Sequence, residues 1–294
     1  MTCGNKKVLV TGATGLIGKE LITPLKERGF DIYALTIDKN NPNNGAHYIP
    51  CNIFNHEEVQ KICTEIKAQY LLNMAWCTTG LFNDNINFDF LASSLNILKH
   101  FTINGGKKTV MAGTYAEYGN KDVILKENMT PAPINIYSKT KNWLREIATD
   151  FCLNNGIDFA WGRIFSAYGK EADNRRLTGY VITNLLQNKQ IIIKSGSLIR
   201  DYIYCKDIAN AFVSLTDSNV SGIVNICTGI PTTISQYVLK IARIMNKEHL
   251  VTFNEEPSTQ QKIVVGDNTR LIKELKFKCD YTLDQALKEI IESY

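Results

Sequence analysis

Three glycines at a three-residue spacing, Gly12, Gly15 and Gly18, stand in the run Val8-Leu9-Val10-Thr11-Gly12-Ala13-Thr14-Gly15-Leu16-Ile17-Gly18. An apolar strand ends there and an amphipathic stretch begins, with Leu16, Ile17, Leu21, Ile22 and Leu25 at helical spacing. The spacing predicts strand, tight turn and helix over 8–28. Glycines at such a turn leave room for a pyrophosphate to reach backbone N–H groups at the positive end of the helix, and let that helix pack closely on the sheet. A glycine turn also serves merely to join a strand to a helix, but a second strand beginning near Asp31 completes the context of a dinucleotide site. No Gly-Lys-Ser/Thr follows at the required distance, which excludes a Walker loop.

The rest of the first half repeats this alternation. Short apolar runs at 8–10, 32–35, 71–75, 109–112 and 159–161 alternate with helical patterns at 15–28, 57–69, 88–101 and 137–153. Gly29 and Asn104-Gly105-Gly106 stand where helix ends are expected. Alternation of this kind predicts an α/β fold, a Rossmann-type doubly wound parallel sheet. After Gly169 the pieces shorten and mix: helices at 179–187, 207–217 and 235–245, strands at 191–194 and 201–204. The expected organisation is a dinucleotide-binding domain over 1–168 and a smaller C-terminal substrate-binding lobe over 169–294, with parts of 200–228 returning to the Rossmann sheet.

Composition narrows the function. The 33 basic residues exceed the 29 acidic ones by only 4, and charged residues make up 21% of the chain, too few and too balanced for a nucleic-acid partner. Eight cysteines in no CxxC spacing read as reduced core thiols. The first ten residues contain two lysines before a short apolar strand rather than a signal core, and no stretch approaches the roughly 18 apolar residues that span a bilayer. A cytoplasmic protein with no membrane partner is expected. His47, His56, His100 and His249 are scattered without ligand spacing, so no metal is expected.

At the end of the second strand, Leu35-Thr36-Ile37-Asp38-Lys39, two readings stay open. Asp38 lies about 20 residues past the last motif glycine, where a carboxylate accepts from the ribose 2′-hydroxyl and selects NAD. Alternatively Asp38 lies past the strand end and Thr36 takes the deciding place, a hydroxyl that admits either cofactor. Lys39 near a 2′-phosphate tips the expectation toward NADP(H), with NAD(H) as the alternative.

Tyr137 and Lys141 in Tyr137-Ser138-Lys139-Thr140-Lys141 share one face at the start of a predicted helix. A phenol, with its ordinary pKa near 10, needs a neighbouring ammonium to work as an acid–base group, and Lys141 supplies one. Thr114 leaves the carboxyl end of the strand at 109–112, the edge where ligands bind in such sheets. A hydroxyl there, with the Tyr–Lys pair and the glycine turn, forms a consistent set for hydride and proton transfer.

On these residues, and on Leu72-Asn73-Met74-Ala75, Gly162-Arg163-Ile164-Phe165-Ser166-Ala167-Tyr168-Gly169 and Arg200-Asp201-Tyr202-Ile203-Tyr204-Cys205-Lys206-Asp207, the chain resembles an extended short-chain dehydrogenase/reductase of the NAD-dependent epimerase/dehydratase family over nearly its whole length. The resemblance implies Thr114, Tyr137 and Lys141 as a catalytic triad. It implies cofactor contacts from Gly12, Thr14, Gly15, Leu16, Ile17 and Gly18, from Thr36, Asp38, Asn52, Ile53 and Ala75, and from Tyr137 and Lys141. It places Ser166, Arg175, Arg200 and Thr114 toward a nucleotide-sugar substrate, although the Arg175-Arg176 pair reads equally as a solvated turn. A homodimer through the helices near 88–101 and 137–153 is implied as well. The chain departs from the family pattern at Asn52, Phe90, Ser166 and Lys170, all around the pockets.

Thr114 is followed by Tyr115-Ala116, where related dehydratases carry Asp-Glu and fucose-type epimerase–reductases carry a Cys at the second place. Ala116 does neither chemistry, and Glu117, one place later, reads as a strand-exit acid. The pattern is most similar to ketoreductases that reduce a 4-keto, 6-deoxy nucleotide sugar for surface polysaccharides. The alternatives are a nucleotide-sugar 4-epimerase and a non-catalytic dinucleotide-sensing module.

Overall fold

The computed structural model describes residues 6–38, 41–78, 80–170, 176–254 and 260–294. The chain runs β1 (Lys6–Thr11), α1 (Ile22–Glu27), β2 (Phe30–Thr36), β3 (His47–Pro50), α2 (His56–Ile66), β4 (Tyr70–Asn73), α3 (Ile86–Ile103), β5 (Lys108–Thr114), β6 (Ile124–Leu125), α4 (Ile136–Asn154), β7 (Asp158–Ile164) and β8 (Ser166–Tyr168). It continues through α5 (Leu177–Leu186), β9 (Ile191–Ile193), β10 (Ile199–Tyr204), α6 (Cys205–Thr216), β11 (Gly222–Ile226), β12 (Pro231–Thr233), α7 (Ile234–Ile244), β13 (Val251–Phe253), β14 (Ile263–Gly266), α8 (Thr269–Lys273) and α9 (Leu283–Glu292).

Seven strands form one parallel sheet in the order β11-β7-β5-β4-β1-β2-β3. The chain winds outward in one direction from β1 and in the other from β4. The cleft at their carboxyl ends is therefore the switch point where such sheets bind ligands. Strand side chains alternate between two cores, as the period of two requires. Val8, Val10, Ile32 and Val110 join Leu21, Leu25 and Phe212 on the α1/α6 side. Leu9, Leu71 and Met111 join Val59, Ile97, Leu98 and Leu144 on the α2/α3/α4 side. Both faces are covered, so these strands are apolar throughout.

The smaller lobe is built on β12-β10-β14-β6, with β8 beside β10, and on the pair β13-β9. Its core gathers Val181, Ile182 and Leu185 of α5, Tyr237 and Ile241 of α7, and Leu287 of α9. Between lobe strands the chain returns to the main sheet as β11, where Val224 lies opposite Gly162.

Two sequence expectations need correction. The predicted helix over 15–28 is a tight 3₁₀ turn at Gly18–Glu20 followed by the short α1. Pro24 has no N–H for the Glu20 carbonyl, so the α-helical ladder cannot run back to Gly15, whereas proline in the first turn of α1 costs nothing. The strand predicted over 71–75 stops at Asn73, because Thr11 Oγ1 accepts the N–H groups of Met74 (3.2 Å) and Ala75 (3.1 Å) and bends that segment away. No helix among the described residues is long and apolar enough to cross a membrane.

Candidate active site

The cofactor edge is shaped by main chain and small residues. Gly12 has φ +71°, and a Cβ there would lie 2.8 Å from the Ala75 nitrogen. A Cβ on Gly18 would lie 1.8 Å from the Gly12 carbonyl oxygen. At Gly15 the nearest atom would be the Gly12 oxygen at 3.3 Å, and Thr14 and Gly15 are exposed at the mouth of the cleft. Gly12 and Gly18 thus make the turn possible, and Gly15 keeps its outer side clear. A diphosphate fits such a cradle. Leu16 and Ile17 are half-buried against the lobe core behind it. Below the turn, buried Thr11 donates to Asn73 Oδ1 (2.6 Å) and locks the ends of β1 and β4 together.

Thr36 is the last residue of β2, so Asp38 stands two residues past the strand and is exposed. The Thr36 hydroxyl accepts the Asp38 N–H (3.0 Å), while the Thr36 carbonyl accepts from Cys51 (2.8 Å). That bond brings Asn52 and Ile53 to the same end of the sheet. Asn52 accepts the Phe54 N–H (3.1 Å) and donates its own to Glu58 (3.1 Å), in the turn that opens α2.

Thr114, Tyr137 and Lys141 converge on the carboxyl end of β5. Tyr137 lies in the first turn of α4, capped by Asn135, and its N–H donates to the Phe82 carbonyl (2.8 Å). Burial pushes the phenol's pKa upward, a hydrogen bond from Thr114 pulls it back, and the Glu117 carboxylate pushes it up again. One turn later, Lys141 Nζ donates to the Ala112 carbonyl (2.7 Å) and sits 3.9 Å above the Trp76 ring. Burial pushes its pKa down to about 7, against a smaller upward pull from Glu117.

Two further side chains belong to the site, Trp76 and Glu117, the second of which reads in the sequence as a strand-exit acid. Trp76 forms a wall of the site: it stacks on Phe90, meets Tyr137 edge-on, and donates to Asn87 Oδ1 (2.9 Å). Glu117 is fully buried and accepts from Thr114 N (2.9 Å), Trp161 Nε1 (2.9 Å) and Arg163 Nε (2.8 Å). The signal available in the sequence was Gly113, since a Cβ there would lie 2.1 Å from Trp161 Nε1.

Toward the lobe, Ser166 is half-buried, two residues past the Thr114–Ile164 pair of β5 and β7. Arg200 Nη1 donates to the carbonyls of Ile199 (2.8 Å) and Gln261 (3.0 Å), so part of its guanidinium holds the lobe strands. Its charge still reaches Tyr115 and Tyr202, easing phenol pKa values that burial raises. Arg175 lies outside the described residues. Its neighbour Arg176 donates to Thr78 Oγ1, beside the cofactor edge, and its charge acts on Tyr137.

The model of the NAD-dependent epimerase/dehydratase family matches residues 8–227. The chain belongs to this family. It is an enzyme of the family's oxidoreductase and epimerase type, on a nicotinamide-binding Rossmann fold. Over 297 residues it is 27% identical to a GDP-6-deoxy-D-talose 4-dehydrogenase of Aggregatibacter actinomycetemcomitans, with 96% of each chain covered. Over 313 residues it is 26% identical to the dTDP-4-dehydro-6-deoxyglucose reductase of Escherichia coli, covering 97% of this chain and 96% of the relative. Among solved structures, the UDP-glucose 4-epimerase of Thermotoga maritima superposes with a TM-score of 0.88 at 22% identity, covering 97% of each chain, a likeness of fold. The family so matched is NAD-dependent by description, and the Gly12–Gly18 turn lies inside the matched residues.

Proposed function

We propose that this protein reduces the C4 keto group of a 6-deoxy sugar carried on a nucleotide, in the making of surface polysaccharide. The observation that carries the reading is what stands in the three positions after Thr114. Tyr115 and Ala116 occupy the first two, and the carboxylate of the third, Glu117, is buried and engaged by three donors. None of these three positions offers a free carboxylate or thiol for eliminating water or deprotonating carbon, which favours redox chemistry at C4. The names of the relatives, a 4-dehydrogenase and a 4-keto reductase of 6-deoxy sugars, support the same class.

When bound, the nicotinamide supplies or accepts the hydride. Thr114 orients the C4 oxygen through its hydroxyl, Tyr137 donates the proton to that oxygen, and the Lys141 ammonium steadies the phenolate left behind. Ser166, Arg200 and Arg176 face the sugar nucleotide. For the dinucleotide we propose NAD(H). The bond between Thr36 Oγ1 and the Asp38 N–H turns Asp38 back toward the end of β2, and a carboxylate there accepts from ribose hydroxyls and repels a 2′-phosphate. The opposite expectation leaned on Lys39, which lies outside the described residues.

The dinucleotide domain of this proposal spans 1–168 with β11 added, and 169–294 supplies most of the substrate lobe. Phe88, Ile103, Trp143, Ile147 and Leu153 are apolar and exposed along α3 and α4, which supports a homodimer through these helices. The buried free thiols of Cys51, Cys63, Cys152, Cys205 and Cys227 support a reducing, cytoplasmic setting.

Purified protein is offered 4-keto-6-deoxy nucleotide sugars with NADH or NADPH. Stoichiometric oxidation of added NADH is the expected outcome. Faster use of NADPH overturns the cofactor choice. Tightly retained NAD, with two C4 epimers interconverting without added cofactor, replaces the reductase by the 4-epimerase that the same three side chains also serve.

A further inference from the structure

We propose that Glu117 is a positioning residue for the triad: its buried carboxylate fixes Thr114 at the end of β5 and presents a negative charge to Tyr137 and Lys141. The inference rests on the reading of Tyr137 as proton donor and Lys141 as its ammonium.

The geometry is over-determined. One carboxylate with no exposed surface accepts from Thr114 N, from Trp161 Nε1 through both oxygens (2.9 and 3.2 Å) and from Arg163 Nε (2.8 Å), with Arg145 Nε at 3.9 Å. Trp161 and Arg163 alternate on one face of β7, opposite Met111 and Gly113 of β5. Gly113 leaves the space in which the indole reaches the carboxylate: a Cβ would lie 2.1 Å from Trp161 Nε1 and 2.7 Å from Glu117 Oε1.

Stability alone does not call for this arrangement. A buried ion pair can often be replaced by apolar side chains of similar volume without loss, because desolvation offsets most of its attraction. What the pair does locally is specific. Glu117 takes the Thr114 N–H, and Thr114 Oγ1 accepts the Ala116 N–H (3.2 Å). The threonine is thereby held at both ends, and its one hydroxyl proton is left to point at Tyr137 or a substrate oxygen.

The charge has a direction too. Around Tyr137 and Lys141 the charged or titratable neighbours are Glu117 and Tyr115 after β5 and Arg176 at the start of α5; Arg145 of α4 and Arg163 of β7 flank Glu117 itself. Among the described residues Glu117 acts on both, raising the proton affinity of each. It favours the pair of states, phenol and ammonium, that proton donation to a keto oxygen starts from.

The test compares Glu117→Gln, which leaves Arg163 unpaired, with the neutral double variant Glu117→Gln/Arg163→Met and with Glu117→Asp, which keeps the charge on a shorter arm. Melting curves first identify which are folded. In the folded neutral variant kcat is expected to fall about 10- to 100-fold with KM for the sugar nucleotide near normal, a loss confined to the chemical step. The alkaline limb of its kcat/KM profile is expected to move about one unit to lower pH, because both proton affinities fall with the charge removed. Glu117→Asp is expected to keep the limb in place and lose part of kcat. A folded neutral variant with wild-type kcat and wild-type limb overturns the proposal. Tyr137→Phe run in parallel separates the two claims: if that variant is inactive while the neutral one is normal, only the role of Glu117 fails. If Tyr137→Phe turns over normally, the reading of the triad fails instead.

Discussion

At the proposed cofactor edge the chain works with main chain and missing side chains, while at the proposed catalytic wall it works with buried charge. Gly12, Gly15 and Gly18 shape a surface by what they lack, and Thr11 and Asn73 tie it to the sheet with neutral bonds. Across the cleft, Glu117, Arg163 and Lys141 are all buried, Arg163 Nε against Glu117 and Lys141 Nζ on the Ala112 carbonyl. A cradle of the first kind fails by steric overlap, which falls steeply with distance. A wall of the second kind fails by imbalance of charge, which is felt over several residues and depends on pH.

The largest effect is expected where a reacting atom is removed. Tyr137→Phe keeps the ring packed against Trp76 and Phe82 but deletes the transferable proton. Its kcat should fall by about 10²- to 10⁴-fold, as is usual for a general acid, with dinucleotide affinity by calorimetry nearly unchanged. Comparable loss of affinity would show that wall and cradle are not separable.

Next comes the cradle. A Cβ at Gly18 meets the Gly12 carbonyl oxygen at 1.8 Å, against 3.3 Å at Gly15. Gly18→Ala should therefore weaken dinucleotide binding about a hundredfold, equivalent to roughly 3 kcal/mol of strain, and Gly15→Ala by about tenfold or less. Equal losses would mean that the outer side of the turn is as tightly engaged as its inner side.

The pH response should distinguish wall from cradle without any mutation. With its pKa pushed down to about 7, Lys141 carries its proton below that pH and loses it above. Since the proposed reduction starts from the ammonium, kcat/KM should fall as pH rises through about 7, while the glycine turn, which has nothing to titrate, should hold the dinucleotide equally well. Stability should move the other way. The unfolded lysine keeps its proton up to its ordinary pKa near 10.4, so between about 7 and 10 the unfolded chain binds more protons and the Lys141 contribution to folding improves with pH. A rate that climbs through this window would remove Lys141 from its role.

The smallest effect is expected at the rim. Asp38→Asn removes the carboxylate at the end of β2 and should shift the preference for NADH over NADPH by about tenfold toward NADPH, read from the two KM values. No shift would return the choice to Thr36.

The glycine spacing, the strand and helix periods and the Tyr137–Lys141 interval are local, and local geometry is enough to imply them. Gly18 is required by the Gly12 carbonyl six residues before it, and Gly12 by its own φ of +71°, whereas the Ala75 backbone that also crowds Gly12 is brought to it by the sheet. Tyr137 and Lys141 share a face because a helix turns once in about four residues. Pro24 shows the same legibility in reverse, since a missing N–H written in the sequence stops a helix that the apolar period alone would extend.

What only the folded chain decided lies between segments far apart in sequence. Glu117 reads as an exposed strand-exit acid until β7 brings Trp161 and Arg163 to it from more than forty residues away. No motif marks Trp76, and only the packing of α4 sets Lys141 over its ring. Arg176 reaches Thr78 from 98 residues away in the sequence, whereas Arg200, expected at the substrate, has part of its guanidinium bound to the carbonyls of its own lobe. The physical reason is common to all of them. Steric and periodic requirements act over one turn or one strand and so leave a pattern in neighbouring letters. The cost of burying a charge is met by whichever donors the tertiary fold delivers, and nothing in the letters beside Glu117 records where those donors come from.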